Sequence, residues 1–138
     1  MYRKILMGYD GSEAAEKAFE NAMQLAKNNG AELYVVTVVR LLEIGDDVET
    51  EAVVENSREY HRKLLTPLRH RAEQAGIKAH FEVAVGHPAE QIIFHADRHQ
   101  ADLIVVGDRG RSKFARLLLG SVSKQVVQYA GRPVLVVR

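Results

Sequence analysis

The chain has 138 residues, 46% of them hydrophobic and 27% charged, with a formal net charge of +1; this fits one folded domain with a sizeable core and argues against extensive disorder or a polyanion binder built on bulk positive charge. It contains no cysteine, which excludes disulfide scaffolds, thiol catalysis and Cys-ligated zinc or iron–sulfur sites. No apolar run approaches the length of a membrane span, and Ile5-Leu6-Met7 is too short for a signal-peptide core, so a cytoplasmic protein with neither membrane nor nucleic-acid partner is expected.

Apolar runs and helical segments alternate from end to end. Ile5-Leu6-Met7, bounded by Asp10-Gly11-Ser12, reads as a buried strand ending in a loop. Ser12 is a good N-cap, and Glu13 and Glu16 favour the positive end of the helix that follows. Ala15, Ala18, Phe19, Ala22, Leu25 and Ala26 recur at helical spacing, and Gly30 supplies a left-handed stop. Leu33 to Val39 is almost continuously apolar, as in a strand covered on both faces. Leu41 to Thr50 reads as a loop. A charged helix over Glu51–Ala75 follows, with Val53, Leu64, Leu68, Ala72 and Ala75 facing inward and a kink or interruption expected around Thr66, before Pro67.

Ala79 to Val85 reads as a third strand. Gly86-His87-Pro88 turns the chain into a helix with Pro88 at its first position and Ile92, Ile93 and Ala96 on its apolar side. Leu103 to Val106 is a fourth strand. After a long loop come a helix over Ser121–Ala130 and a fifth strand over Val134–Val137. The order β-α-β-α-β-α-β-α-β implies right-handed crossovers, a parallel sheet and a three-layer α/β sandwich. Nothing marks a domain boundary within 1–138.

In an open parallel sheet, ligands bind beyond the carboxyl ends of the strands, where strand order reverses. Two strand ends carry unusual residues: Asp10-Gly11-Ser12 after the first, and Gly107-Asp108-Arg109-Gly110 after the fourth, leading to Gly120-Ser121-Val122-Ser123 at a helix start. Glycines let a backbone approach a ligand closely. A helix N-terminus bearing glycine and serine combines unpaired donors with the positive end of the dipole. The intervening loop carries Arg109, Arg111, Lys113 and Arg116, which would attract polyphosphate. Either element alone is ordinary turn or cap chemistry; together they favour a phosphate site. Neither G-x-x-x-x-G-K-[ST] nor G-x-G-x-x-G is present.

These residues carry a resemblance that covers essentially the whole chain. The opening strand into Asp10-Gly11-Ser12, the Gly107-x-x-Gly110-(nine residues)-Gly120-Ser121 pattern and the closing Pro133-Val134-Leu135-Val136-Val137 resemble the universal stress protein family. The glycine pattern matches that family's ATP-binding signature. The resemblance implies five parallel strands in the order 3-2-1-4-5, with nucleotide between strands one and four. By motif position it implies that Asp10 bonds the ribose and that the Val38 backbone meets adenine. It also implies that Gly107, Gly110, Gly120, Ser121, Val122 and Ser123 hold the phosphates. Arg109 is added from its charge alone. ATP with Mg²⁺ held mainly by phosphates is the implied cofactor, a regulatory stress-response role the implied function, and hydrolysis, if any, slow. Tyr9 departs from the family's usual small or aliphatic residue or proline; it either packs near the nucleotide or fills the sheet end. The family commonly forms homodimers through the last strand, here Val134–Val137.

No residue set is assigned as catalytic or as a metal centre. His95 and His99 share a helix face, but Asp102 is the one further ligand in view, so a solvated face is the preferred reading. His61 and His70, among Arg58, Arg62, Lys63, Arg69 and Arg71, read as a solvated basic face. Asp46-Asp47 is read as solvated, and His87 as a cap or turn residue. The competing function is an enzyme in the same crevice, a nucleotidyl transferase or phosphohydrolase relying on Asp10. A phosphoacceptor switch would have only Asp10 and Asp108 for the several carboxylates it needs.

Overall fold

Strands and helices alternate along the described chain as β1 Lys4–Gly8, α1 Glu13–Asn29, β2 Glu32–Arg40, α2 Thr50–Gln74, β3 Ala79–Gly86, α3 Pro88–His99, β4 Leu103–Gly107, α4 Ser121–Tyr129 and β5 Val134–Val137. The structure, a computed structural model, describes residues 1–40, 50–108 and 119–138. The loop readings for 41–49 and for 109–118 lie outside the described residues, while Thr50, read as the end of the first loop, begins α2. The strands form one parallel sheet in the order β3-β2-β1-β4-β5, the order implied by the sequence resemblance.

Alternation along each strand divides the core into two halves. Ile5, Met7, Leu33, Val35, Leu103 and Val105 pack with Ala18, Phe19 and Ala22 of α1 and with Leu65 and Leu68 of α2. Leu6, Val36, Ile104 and Val106 face Ile92 and Ala96 of α3 and Val126 of α4. Both faces are covered, which is why the central strands read as unbroken apolar runs. Each fully buried large side chain, such as Phe19 or Ile5, contributes about 1.5–3 kcal/mol.

Local chemistry sets the helix ends. Ser12 accepts the Ala15 N–H at 3.1 Å, and Gly30 closes α1 with φ +63°. His87 is the N-cap residue of α3, with Pro88 next to it. The expected interruption at Pro67 does not occur: α2 is assigned as one helix, Thr50–Gln74, with the proline inside it. Proline costs the bond to the Lys63 carbonyl, but Lys63 and Pro67 both face solvent, so that carbonyl is open to water rather than buried without a partner. The buried Leu65, Leu68 and Ala72 hold the opposite side of the helix to the sheet. Val53, expected inward, is 37% exposed. Arg132 has a larger structural role than its position in a turn indicated. Its guanidinium donates to the Ala96 and Ala101 carbonyls at 2.8 Å each and pairs with Asp97, tying the end of α3 to the turn after α4.

Candidate functional site

The chain reverses between β1 and β4: α1 and α2 cover one face of the sheet, α3 and α4 the other. A cavity of about 490 Å³ opens there, above the carboxyl ends of the strands, within the range of small-molecule sites. Gly8, Val36, Val106 and Gly107 form its floor. Tyr60, His61 and Leu64 of α2 border one side, Pro88 and Ile92 of α3 the other, and Gly120, Val122 and Ser123 its far end.

At the β1 end, the Asp10 carboxylate accepts the Ser12 N–H at 2.9 Å, a turn that keeps it at the cavity mouth. Tyr9 borders the cavity and is buried in the sheet end. Its hydroxyl donates to Glu16, whose other oxygen takes the Arg71 guanidinium at 2.8 Å. Burial, then Glu16, pushes the Tyr9 pKa well up, so it is a neutral donor at physiological pH. Burial opposes ionisation of Glu16, but the bonds from Tyr9 and Arg71 hold its carboxyl below the usual value. Tyr9 therefore fills the sheet end beside the cavity, with its polar group committed to Glu16.

The β2 side of the cavity offers backbone. Along β2, even-numbered residues turn their N–H and C=O toward β1: Glu32 donates to Arg3, and Val36 accepts from Tyr9 at 2.9 Å. That is the last bond of the β1–β2 ladder. Val38, next on the same side, borders the cavity with its backbone pair beyond the end of β1 and, among the described residues, without a sheet partner there. An incoming ligand with adjacent donor and acceptor groups would satisfy both.

The far end is the N-terminus of α4. Lys124 makes the first intrahelical bond, to Gly120, so the N–H groups of Ser121, Val122 and Ser123 are the ones a helix start leaves unsatisfied. The Gly120 N–H is engaged differently: it donates to the buried Asp108 carboxylate at 2.9 Å. Arg138 lies 3.4 Å from the other Asp108 oxygen. Asp108 thus clamps the end of β4 to the start of α4 and to the end of β5. The Ser123 hydroxyl is buried and donates to the Gly120 carbonyl at 3.0 Å. Gly107 borders the cavity, but its missing side chain serves α1. A Cβ there would lie 2.6 Å from the Ala14 carbonyl carbon and 2.7 Å from Ala15 N.

Of the residues singled out from sequence, Asp10, Val38, Gly107, Gly120, Val122 and Ser123 border this one cavity. Ser121 is exposed on the first turn of α4. Arg109 and Gly110 lie outside the described residues. The contribution of α2 was missed: Val53, Ser57, Tyr60, His61 and Leu64 face the cavity. Their helical spacing, a stripe of mixed polarity, was the available signal. His61 therefore does not belong to a solvated basic face; its Nδ1 lies 2.7 Å from the Ser57 carbonyl.

The sequence profile described as the universal stress protein family matches residues 1–138. The chain belongs to that family. It is similar to a universal stress protein of Methanocaldococcus jannaschii, at 36% identity over 100% of this chain and 83% of the relative. Among solved structures it is similar to the universal stress protein UspA of Lactobacillus plantarum, with TM-score 0.84, 27% identity and coverage of 99% and 98% of the two chains. It is also similar to a universal stress protein solved in complex with cAMP, with TM-score 0.69, 29% identity and coverage of 99% and 97%. No helix among the described residues of this universal stress protein is long and apolar enough to cross a membrane.

One expectation is overturned away from the cavity. His95 and His99 are not on a solvated face: His95 is 6% exposed, and His99 is half-buried beside it. The third group facing them is Glu82 of β3. Its carboxylate lies 2.9 Å from His95 Nδ1 and 3.3 Å from His99 Nε2. Asp102 is elsewhere, accepting the Arg3 N–H at 2.9 Å and the Lys4 N–H at 3.3 Å.

Proposed function

We propose that this universal stress protein is an ATP-binding regulatory module, with nucleotide seated at the switch point between β1 and β4. The observation that carries the reading is the cavity itself. It has, among the described residues, a backbone donor and acceptor at Val38 without a sheet partner on one side and the helix N-terminus at Ser121–Ser123 on the other. Adenine presents adjacent ring acceptor and amino donor groups, which match a backbone N–H and C=O. A polyphosphate matches free N–H groups at the positive end of a helix dipole. Asp10, at the mouth between them, is placed for ribose hydroxyls. Gly107 shapes the floor, and Arg109 and Gly110 complete the phosphate loop in this reading. The related protein solved with cAMP supports a nucleotide in this fold.

Asp10 is the one carboxylate bordering the cavity among the described residues. Mg²⁺ would therefore be held mainly by phosphate oxygens and water, as this ion favours. The protein's own contribution is to bind and orient: backbone groups fix the base, the α4 N-terminus takes phosphate charge, and Asp10 fixes the sugar. The edge strand β5 is proposed to meet its counterpart in a second copy, forming a homodimer; light scattering should show a dimer that Val136→Lys converts to monomer.

The test is calorimetry with ATP and Mg²⁺. Saturable binding at one site per chain is expected, weakened at least about tenfold by Val38→Pro. That substitution deletes an N–H that no strand among the described residues uses, so the described ladder keeps its bonds. Absence of binding at millimolar ATP, or unchanged affinity in Val38→Pro, would reject this placement.

A further inference from the structure

The sheet face under α3 carries a second cluster, with no counterpart in the nucleotide reading. On β3, His80 and Glu82 point to the side where the neighbouring strands present Tyr34 and Val36. Glu82 meets His95 and His99, one helical turn apart on α3. The three ligand-capable atoms all lie within 4.8 Å of one another. Neither His95 Nδ1 nor His99 Nε2 is exposed, and neither has a well-aligned hydrogen bond. The Glu82 oxygens are close to both nitrogens but out of line with them. Two buried, poorly satisfied imidazole nitrogens converging on one carboxylate are costly unless something binds there.

We propose that Glu82, His95 and His99 form a binding site for a borderline divalent transition ion of the zinc class. Two imidazoles and one carboxylate are a zinc-type ligand set, and hard oxygen-seeking ions such as Mg²⁺ or Ca²⁺ would not favour it. Metal–ligand bonds near 2.0–2.2 Å place tetrahedral ligands about 3.4 Å apart. The two nitrogen–carboxylate separations, 2.9 and 3.3 Å, are already that short. The scaffold holds the rings in place. Tyr34 stacks between His99, at 4.2 Å, and His80, at 4.7 Å, while its hydroxyl donates to Glu32 at 2.9 Å. Glu82 keeps 36% of its side chain exposed at the sheet edge, which leaves a path for the ion and a fourth position for water. The bound ion would staple α3 to the edge strand β3.

Equilibrium dialysis of the untagged protein against Zn²⁺ with excess Mg²⁺, followed by elemental analysis, tests this. About one Zn²⁺ per chain is expected. Glu82→Gln and His99→Gln should each weaken binding by more than about tenfold, since loss of an outer-shell partner alone costs that much. Co²⁺ should give the intense visible bands of a tetrahedral ion in the wild type and lose them in His95→Gln. The double variant His70→Gln/His87→Gln should bind as the wild type does. Sub-stoichiometric binding, or binding that survives both Glu82→Gln and His99→Gln, overturns the proposal. Should His95→Gln fail to fold, those two variants, at less buried positions, decide it. None of these readouts involves nucleotide, so the result is independent of the ATP site.

Discussion

Gly107→Ala separates two reasons for a glycine that sequence alone cannot distinguish. A glycine at the end of β4 would serve equally to admit a phosphate and to admit a helix. The added Cβ would sit 2.6 Å from Ala14 C and 2.7 Å from both Ala14 O and Ala15 N, where ordinary contacts need about 3.5 Å. These neighbours are backbone atoms of the first turn of α1. That turn is capped by Ser12 and anchored by the buried Ala15, so it cannot yield as a flexible side chain would. The cost falls in the upper part of the overpacking range, about 2–3 kcal/mol. Unfolding entropy of about 2.1 cal/mol/K per residue converts this to a fall in Tm of roughly 7–10 °C for a chain of this length. Circular dichroism melts read the stability, and calorimetry with ATP well below the lowered Tm reads the site. An unchanged Tm with lost nucleotide affinity would refute the reasoning, because the glycine would then be kept for the ligand.

Gly8→Ala is the contrasting case. Its Cβ would meet Ile92 Cδ1 at 2.5 Å and Cγ1 at 3.0 Å; that side chain can turn aside, so urea titration should show a loss below about 1.5 kcal/mol. Stability should also fall in acid through Glu32. Bonds from Tyr34, Lys78 and His80 hold its carboxyl down at about 2. A carboxyl lowered on folding stabilises above its unfolded value, near 4.5, and the benefit disappears as pH falls toward about 2. Carbon-detected NMR titration should show Glu32 ionised at pH 3, and Glu32→Gln should flatten the stability profile between those limits. A Glu32 that titrates in the ordinary carboxylate range would contradict this.

The fold was legible because its signals are local or periodic. Buried strands appear as apolar runs, Ser12 and Gly30 mark the ends of α1, and Pro88 marks the start of α3. The crevice was legible in part for the same reason, since Asp10 and Gly120–Ser123 lie at strand and helix ends where turn chemistry shows in the residues themselves. The failures came where tertiary contacts override a local rule. Pro67 should break a helix in isolation, but Leu65, Leu68 and Ala72 hold α2 to the sheet across it. Asp108, a candidate for chemistry by its place after β4, is instead committed to the Gly120 N–H and Arg138.

The histidine cluster shows which further signal was present and which was not. His95 and His99 form one stripe with Ile92 and Ala96, at the spacing i, i+3, i+4, i+7, and Ile92 and Ala96 are buried. A histidine on the buried stripe of a helix cannot be a solvated residue; it must meet a partner or lose hydrogen bonds. That much could be read from α3 alone. Its partner could not, because Glu82 reaches it through the sheet order. β3 must lie at the edge beside β2, in the register that sets Tyr34 against His80 and Val36 against Glu82. A shift of one residue in that register would turn Glu82 to the opposite face and bring Phe81 and Val83 beneath the imidazoles instead. The cluster therefore depends on strand register, which no local motif in this sequence encodes, and the substitutions that probe it are at Glu82 as much as at the histidines.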